Sequence, residues 1–410
     1  MSATWDTIVV GGGLAGLSVA HELAMRGDRV LLLERYKAYG GRALTYRGAP
    51  HAIQYEIGAG RIWKHHARIA ALVRRYGLHT FPISTASDFE RVGNANPFTV
   101  LFEPLRAAIA AASPETLARR TIAEIVPRAL HDIFTMYPYW AEIHMMRADI
   151  ALDAFKPRAP MGATGAAEYY GIVEGIDAIA SHVADDARRA GAVLRNRHRV
   201  ADVRRSGDHF EIVGDAGKKA HARPFVYTAR RVVIATCRCS LSDFSVLRGA
   251  PLLKQIGTAA LIRIYAVFPR DARSGRVWFD GMPKVVTAGR LRYVIPINAE
   301  KGLIMISYTD GDDTNYWRAL DGAQLTNAVL REARALFPDR IIPAPTYLQK
   351  HDWTSGCSYW LPGAYDVEAA CIAAHNPADG VYVCGESVSR TQTWMEGALE
   401  SAQRVLKLLK

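Results

Sequence analysis

The residues best placed to do chemistry are three glycines near the start of the chain, Gly11, Gly13 and Gly16, spaced as Gly-x-Gly-x-x-Gly. The first permits a tight turn, the second lets a pyrophosphate approach the backbone, and the third lets a helix pack on a strand. The turn delivers a helix N-terminus at Leu14 and Ala15, where unpaired N–H groups and the helix field favour phosphate. Glu34 follows Gly16 by 18 residues, with Arg35 beside it. A carboxylate at that distance grips ribose hydroxyls and repels a 2′-phosphate. Gly40, Gly41 and Arg42 come six, seven and eight residues after Glu34. Two glycines and an arginine there suggest backbone passing close to a second part of the cofactor, with a guanidinium offsetting pyrophosphate charge. A nicotinamide site would show an ordinary connection to the next helix, so this segment favours FAD over NAD.

A third constellation lies far along the chain, at Gly385-Glu386 and Trp394-Met395-Glu396-Gly397-Ala398. A strand ending in Gly-Glu supplies an amide and a carboxylate for the middle of the cofactor. Ala398 and Ser401 are small residues at helical spacing and allow close approach of the last helix. Its N-terminus, near Met395, is expected to point at the pyrimidine end of the isoalloxazine ring, where a positive dipole end stabilises the charge that develops on reduction.

These residues need a scaffold. Thr7 to Val10 reads as a short buried strand, an amphipathic helix runs to about Met25, and Val30 to Glu34 is a second strand. Strand, glycine turn, helix and strand make a βαβ unit. Buried strand signals return at Val193-Leu194, Val200 to Val203, Phe210 to Val213, Arg231 to Ala235 and Val381 to Cys384. From about Phe81 to Asp177 helical patterns dominate, with aromatic clusters at Phe134 to Trp140 and at Tyr169-Tyr170. Leu261 to Phe268, Tyr293 to Ile297 and Leu303 to Ser307 suit a mixed sheet. The expected fold is α/β: a Rossmann-like FAD-binding domain of glutathione-reductase type, interleaved with an α+β substrate-binding domain. The boundaries place 1–80, 190–250 and 351–410 in the first, and 81–189 and 251–350 in the second.

Composition narrows the function classes. At 410 residues, half of them hydrophobic, the chain can bury two cores. The net charge of +11 arises from scattered basic pairs such as Arg74-Arg75 and Arg204-Arg205. No run of five or more occurs, which argues against a nucleic-acid partner. The five cysteines show no disulfide ladder and suit a reducing compartment. Cys237 and Cys239 are too close to make a zinc knuckle without a second pair, so no metal site is expected. The first residues carry neither the charged region nor the cleavage pattern of a signal peptide, and no apolar run is long enough to span a bilayer. A soluble, cytoplasmic protein with no membrane partner is expected, with a homodimer left open.

Taken together, the three motifs resemble the flavin-dependent amine oxidase family. The spacing from Glu34 to Arg42 and that from Glu386 to Met395-Glu396-Gly397-Ala398 match the family's own. Glu56-x-Gly58-Ala59-Gly60-Arg61 looks like the family segment that backs the flavin, and Val200 like the residue whose backbone meets the adenine. The resemblance implies hydride transfer from the α-carbon of an amine to flavin N5, giving an imine, with O2 as acceptor. Trp394 stands where the family has a tyrosine forming one wall of an aromatic cage, and the opposite wall is expected from Tyr359 or Trp360. Ser355-Gly356-Cys357 is similar to the segment whose cysteine carries flavin covalently in monoamine oxidases, although Ser358 replaces the usual tyrosine. Arg263 occupies the position of the family's water-linked lysine. Arginine stays protonated and cannot act as a base, but it can organise water or bind an anionic group. The leading expectation is an amine substrate. The rivals are an amino acid, with Arg61 or Arg263 clamping its carboxylate, another non-amine substrate, or a flavoprotein without catalysis.

Overall fold

The computed structural model describes residues 4–48, 51–84, 86–90, 103–136, 139–155, 168–218 and 221–409. A seven-stranded sheet is built around Trp5–Val10, which pairs in parallel with Val30–Leu33 on one side and with the end of Arg223–Ile234 on the other. Val193–Arg195 extends the parallel array past Val30–Leu33, and Val381–Val383 extends it past Arg223–Ile234. Ile8, Val9 and Leu31 to Leu33 are almost wholly buried, the unbroken apolar pattern of strands covered on both faces. His198–Ser206 and His209–Ala216 add an antiparallel meander.

The covering helices explain the small residues. Leu14–Met25 packs against Asp177–Arg189 and Met395–Leu408, sharing one core through Ala15, Ala20, Ala180 and Ala402. The last helix therefore returns to the first glycine turn.

A six-stranded sheet runs Tyr347–Trp360, Ile256–Val267, Leu303–Asp310, Tyr293–Asn298, Lys284–Val286, Ser87–Phe89. All pairs but the last are antiparallel. Tyr347–Trp360 crosses residue 351 without leaving this sheet. One face packs Ile262, Ile264, Val285, Val294 and Ile304 against Leu325 and Val329 of Gly322–Leu336. Because side chains alternate along a strand, Arg263, Tyr293 and Lys284 fall on the other face, and Tyr308 joins them by pairing with Arg263.

Between 81 and 177 the helical reading is incomplete. Thr80–Ile83 and Tyr169–Ile172 pair with each other and Ser87–Phe89 pairs in parallel with Lys284–Val286. Strands of three or four residues are too short for period-two alternation to stand out. Among the described residues, no helix is long and apolar enough to cross a membrane, and no group of three or more His, Cys, Asp or Glu could hold a metal ion.

Candidate functional site

The three glycines meet different surroundings. Gly11 has φ +110°, and a Cβ there would lie 2.6 Å from the Ala235 carbonyl oxygen. A Cβ on Gly16 would lie 2.0 Å from the Gly11 carbonyl oxygen. Gly13 differs: its nearest neighbour would be the Gly40 carbonyl oxygen at 3.9 Å. Protein atoms explain Gly11 and Gly16, whereas the open space at Gly13 leaves its backbone bare toward a ligand. Leu14 and Ala15 begin the helix there, both buried.

Glu34 ends the second strand with its carboxylate accepting from the Gly12 amide at 2.7 Å and the Tyr36 amide at 2.8 Å. Burial pushes its pKa up, against the lowering pull of those two amides. Arg35 is exposed, with its guanidinium 5.0 Å from the Tyr36 ring centroid. The Glu34 carbonyl accepts from His198 N–H at 2.8 Å, which brings the start of the strand carrying Val200 to the same end of the cradle. That strand has a bulge between Val200 and Asp202.

The glycine pair and the C-terminal carboxylate meet through Arg42. Gly40 and Gly41 both have positive φ, and the Gly40 amide donates to the Gly12 carbonyl at 2.8 Å. Arg42 Nη1 donates to Glu386 Oε1 at 2.5 Å and to the Gly356 carbonyl at 3.0 Å. Glu386 also accepts from Ser358 Oγ at 2.8 Å and from the Thr393 amide at 3.0 Å. The amide of Gly385 donates to Ser401 Oγ at 3.0 Å, so Ser401 ties the last helix to the Gly-Glu turn. Trp394 caps that helix, followed by buried Met395 and partly buried Ala398.

Gly58 packs under Arg42: a Cβ there would sit 1.9 Å from the Arg42 carbonyl oxygen, and the Ala59 amide donates to that oxygen at 2.8 Å. From the other side, Arg263 Nη1 donates to the carbonyls of Glu56 and Gly58 and lies 3.5 Å from where a Gly60 Cβ would be. Arg263 thus holds the 56–60 segment in place.

Among the described residues, several buried polar atoms around this cradle have no hydrogen-bond partner: Thr236 Oγ1, Ser355 Oγ, Ser387 Oγ and Arg263 Nε. Thr236 adjoins Gly11, Ser387 follows Gly385-Glu386, and Ser355 precedes the Gly356 carbonyl that Arg42 holds. Buried polar groups are nearly always paired in folded proteins. A ligand rich in phosphate, ribose and ring heteroatoms would pair them, so the residues present fit a flavin dinucleotide.

On the six-stranded side, the Trp394 ring lies parallel to Tyr169, with centroids 6.2 Å apart and planes within 4°. The Arg61 guanidinium sits over both rings, 4.6 Å from the Tyr169 centroid and 5.6 Å from that of Trp394. Arg61 Nη2 donates to the Tyr139 hydroxyl at 3.2 Å, and no carboxylate among the described residues forms an ion pair with it. Glu142 is nearby, but burial followed by the charge of Asp310 pushes its pKa well up, so it favours the neutral acid.

The ring found parallel to Trp394 is neither Tyr359 nor Trp360. Tyr359 is only 3 % exposed and Trp360 is fully buried, both within the core beneath the sheet. Tyr169, from the recognised Tyr169-Tyr170 cluster, stands parallel to Trp394 instead. Trp360 is committed to structure, its indole donating to the Ser389 carbonyl at 3.0 Å. Tyr139 belongs to the aromatic cluster noted at 134–140, whereas spacing does not single out Glu142 or Lys284, whose strand has only three residues. Cys357 is partly buried, and burial pushes its thiol up to about 12, which keeps it protonated at neutral pH.

The chain is similar to several known oxidases. The chain is 25 % identical to a flavin-dependent L-tryptophan oxidase of Lentzea aerocolonigenes, in an alignment covering 98 % of this chain and 97 % of that one. It is 44 % identical over 88 residues to (S)-6-hydroxynicotine oxidase of Paenarthrobacter nicotinovorans, covering 21 % of this chain and 20 % of that protein. It is also 38 % identical over 73 residues to an L-amino-acid oxidase of Echis ocellatus, covering 18 % and 14 %. These last two matches therefore span a fifth or less of the relatives' length, whereas the first is end to end. The sequence model of the Flavin containing amine oxidoreductase family matches residues 14–159 and 161–405, nearly the whole chain. That extent of match makes the chain a member of this family, and an enzyme: a flavin-dependent oxidoreductase of amine-oxidase type.

Proposed function

We propose that the chain is an FAD-dependent amine oxidoreductase whose substrate amine carries a carboxylate on its reacting carbon, that is, an α-amino acid. The observation that carries this reading is Arg61, a cation packed against two aromatic rings with no carboxylate partner among the described residues. An unpaired cation in a low-dielectric site is costly, and a substrate carboxylate offers the two oxygens that suit a guanidinium fork. The end-to-end likeness to an L-tryptophan oxidase supports the same reading.

In this reading the seven-stranded sheet and its helices form the FAD-binding part, and the six-stranded sheet forms the interleaved substrate part. Gly11, Gly13 and Gly16, with Glu34, Arg42 and Glu386, hold the cofactor. Bound FAD supplies the two-electron acceptor for hydride from the substrate α-carbon, and the resulting imine hydrolyses in water. The protein's own part is to bind and orient. Arg61 and the Tyr139 hydroxyl fix the carboxylate, while Trp394 and Tyr169 flank the amine and exclude water. Arg263 holds the 56–60 backbone and leaves the substrate amine to arrive deprotonated from solvent. A simple amine is the second reading, favoured by the shorter but stronger match to (S)-6-hydroxynicotine oxidase.

The test is an anaerobic absorbance scan of the yellow protein with L-amino acids and their decarboxylated amines added in pairs. An amino acid is expected to bleach the flavin band at least about 100-fold more efficiently than its amine, the size expected for a buried charged hydrogen-bond pair. Readmitted dioxygen is expected to restore the band. Bleaching by the amine alone would establish the second reading instead. Trp394→Ala is expected to slow reduction by the best substrate about tenfold or more, since an aromatic wall over a cation contributes on the order of 1–2 kcal/mol. An unchanged rate would remove Trp394 from the substrate site.

A further inference from the structure

Lys284 lies on the strand Lys284–Val286 of the six-stranded sheet, between Ser87–Phe89 and Tyr293–Asn298. Its neighbour Val285 enters the core under Gly322–Leu336, so Lys284 and Val286 face the opposite way. Val286 is paired with Tyr293, which places Tyr293 on that same face. The Tyr293 ring packs edge-on against Tyr139, with centroids 6.4 Å apart, and Tyr139 accepts from Arg61. Arg61 and Lys284 are thus joined through Tyr139 and Tyr293, and the two cations stand close enough for the charge of Arg61 to act on Lys284.

Lys284 is partly buried, and its ammonium makes no hydrogen bond or ion pair with any described residue. Burial, then the charge of Arg61, lowers its pKa to about 8, so it is still largely an ammonium at neutral pH. The acidic groups around it are occupied or turned away. Glu90 accepts from Thr287 Oγ1 at 2.5 Å and from the Ala288 amide at 3.1 Å. Asp88 pairs with Val285 and belongs to the other side of the sheet. Asp310 accepts from the Trp140 and Ala141 amides, and burial pushes both Asp310 and Glu142 toward their neutral forms. Among the described residues no ion pair neutralises either cation, so the two repel each other, and an anionic ligand reaching both relieves that cost.

We infer that Lys284 is a second anion anchor, so that the preferred substrate is an amino acid with an acidic side chain: Arg61 takes its α-carboxylate and Lys284 its distal carboxylate. This rests on the amino-acid reading above and adds the identity of the side chain. Glutamate and glutamine test it well, because they share a shape and differ in side-chain charge.

The experiment is anaerobic stopped-flow reduction of the holoenzyme by L-glutamate, L-aspartate, L-glutamine and L-leucine, with the protein unmodified and as Lys284→Met. An acidic amino acid is expected to reduce the flavin at least about tenfold more efficiently than L-glutamine, and Lys284→Met to bring that ratio close to one. L-glutamine or L-leucine outpacing both acids in the unmodified protein would overturn the anchor and leave the amino-acid reading standing. A ratio that survives Lys284→Met would overturn it as well. Failure of every amino acid to reduce the flavin would overturn both readings. Should the variant not fold, the unmodified protein still decides: glutarate is expected to perturb the oxidised flavin spectrum at about tenfold lower concentration than butyrate, and equal concentrations would refute the second anchor.

Discussion

Arg61→Met is expected to yield a folded, yellow protein whose flavin amino acids reduce about 100- to 1000-fold less efficiently. The guanidinium, packed against Tyr169, Trp394 and Tyr139, offers a substrate carboxylate charge-assisted hydrogen bonds. Removing one member of such a pair leaves the substrate's charge desolvated and uncompensated, costing about 3–4 kcal/mol. Folding should be spared. Without substrate, Arg61 is a cation with no acidic partner among the described residues, and replacing such a group with an apolar chain of similar volume is often neutral or stabilising. Arg61→Lys is expected to recover only part of the loss, because an ammonium lacks the planar fork. The decarboxylated amine is the internal control. Its weak reduction rate should fall far less than that of the amino acid, since it never used the guanidinium. Equal losses for both compounds would mean that Arg61 only supports the cage, and the carboxylate reading would fail.

How much of this could be read from the chain depends on whether a residue's job is set by local backbone geometry or by distant packing. Gly11 and Gly16 were legible because the turn after Trp5–Val10 leaves no room for a Cβ, a constraint written into a few consecutive residues. The Glu34 to Arg42 segment was legible for the same reason, its two glycines both having positive φ. The meeting of Arg42 with Glu386, 344 residues apart, followed only from knowing that both motifs serve one ligand. Tyr169 was seen as part of an aromatic cluster but not as the partner of Trp394. A three-stranded sheet of strands two to four residues long carries it there, and such strands leave little pattern. Tyr359 illustrates the converse. It is expected on the opposite wall of the cage, but it is only 3 % exposed and belongs to the core cluster that also holds Ile143 and Leu252. Lys284 had no motif at all. Its place follows from Val285 and Val294 pairing inward, a cross-strand fact that no single strand of three residues can reveal.

Gly13→Ala and Gly16→Ala, chemically the same change three residues apart, are expected to fail in opposite ways. Gly13 has φ −77° and ψ 177°, extended backbone that alanine adopts without strain, and its Cβ would meet nothing closer than 3.9 Å. The apoprotein of Gly13→Ala should therefore fold with a melting temperature close to that of the unmodified apoprotein. Its methyl, however, fills the space through which a pyrophosphate would reach the backbone, and cofactor affinity should drop at least about 100-fold, the loss of about 3 kcal/mol of charge-assisted contacts. The purified variant should be pale, and added FAD should restore colour only at high concentration. Gly16→Ala puts its methyl 2.0 Å from the Gly11 carbonyl and 3.1 Å from Ala235 Cβ, so helix and strand must separate. Overpacking of this kind costs about 1–3 kcal/mol or more, and the whole parallel core beside Val10 feels it. This variant should lose stability with or without added FAD, by scanning calorimetry or thermal unfolding. A yellow Gly13→Ala protein with native affinity would show that the cofactor does not approach the backbone there. The open space at Gly13 would then be only a surface cleft, and the assignment of the cradle to a dinucleotide would lose its strongest geometric support.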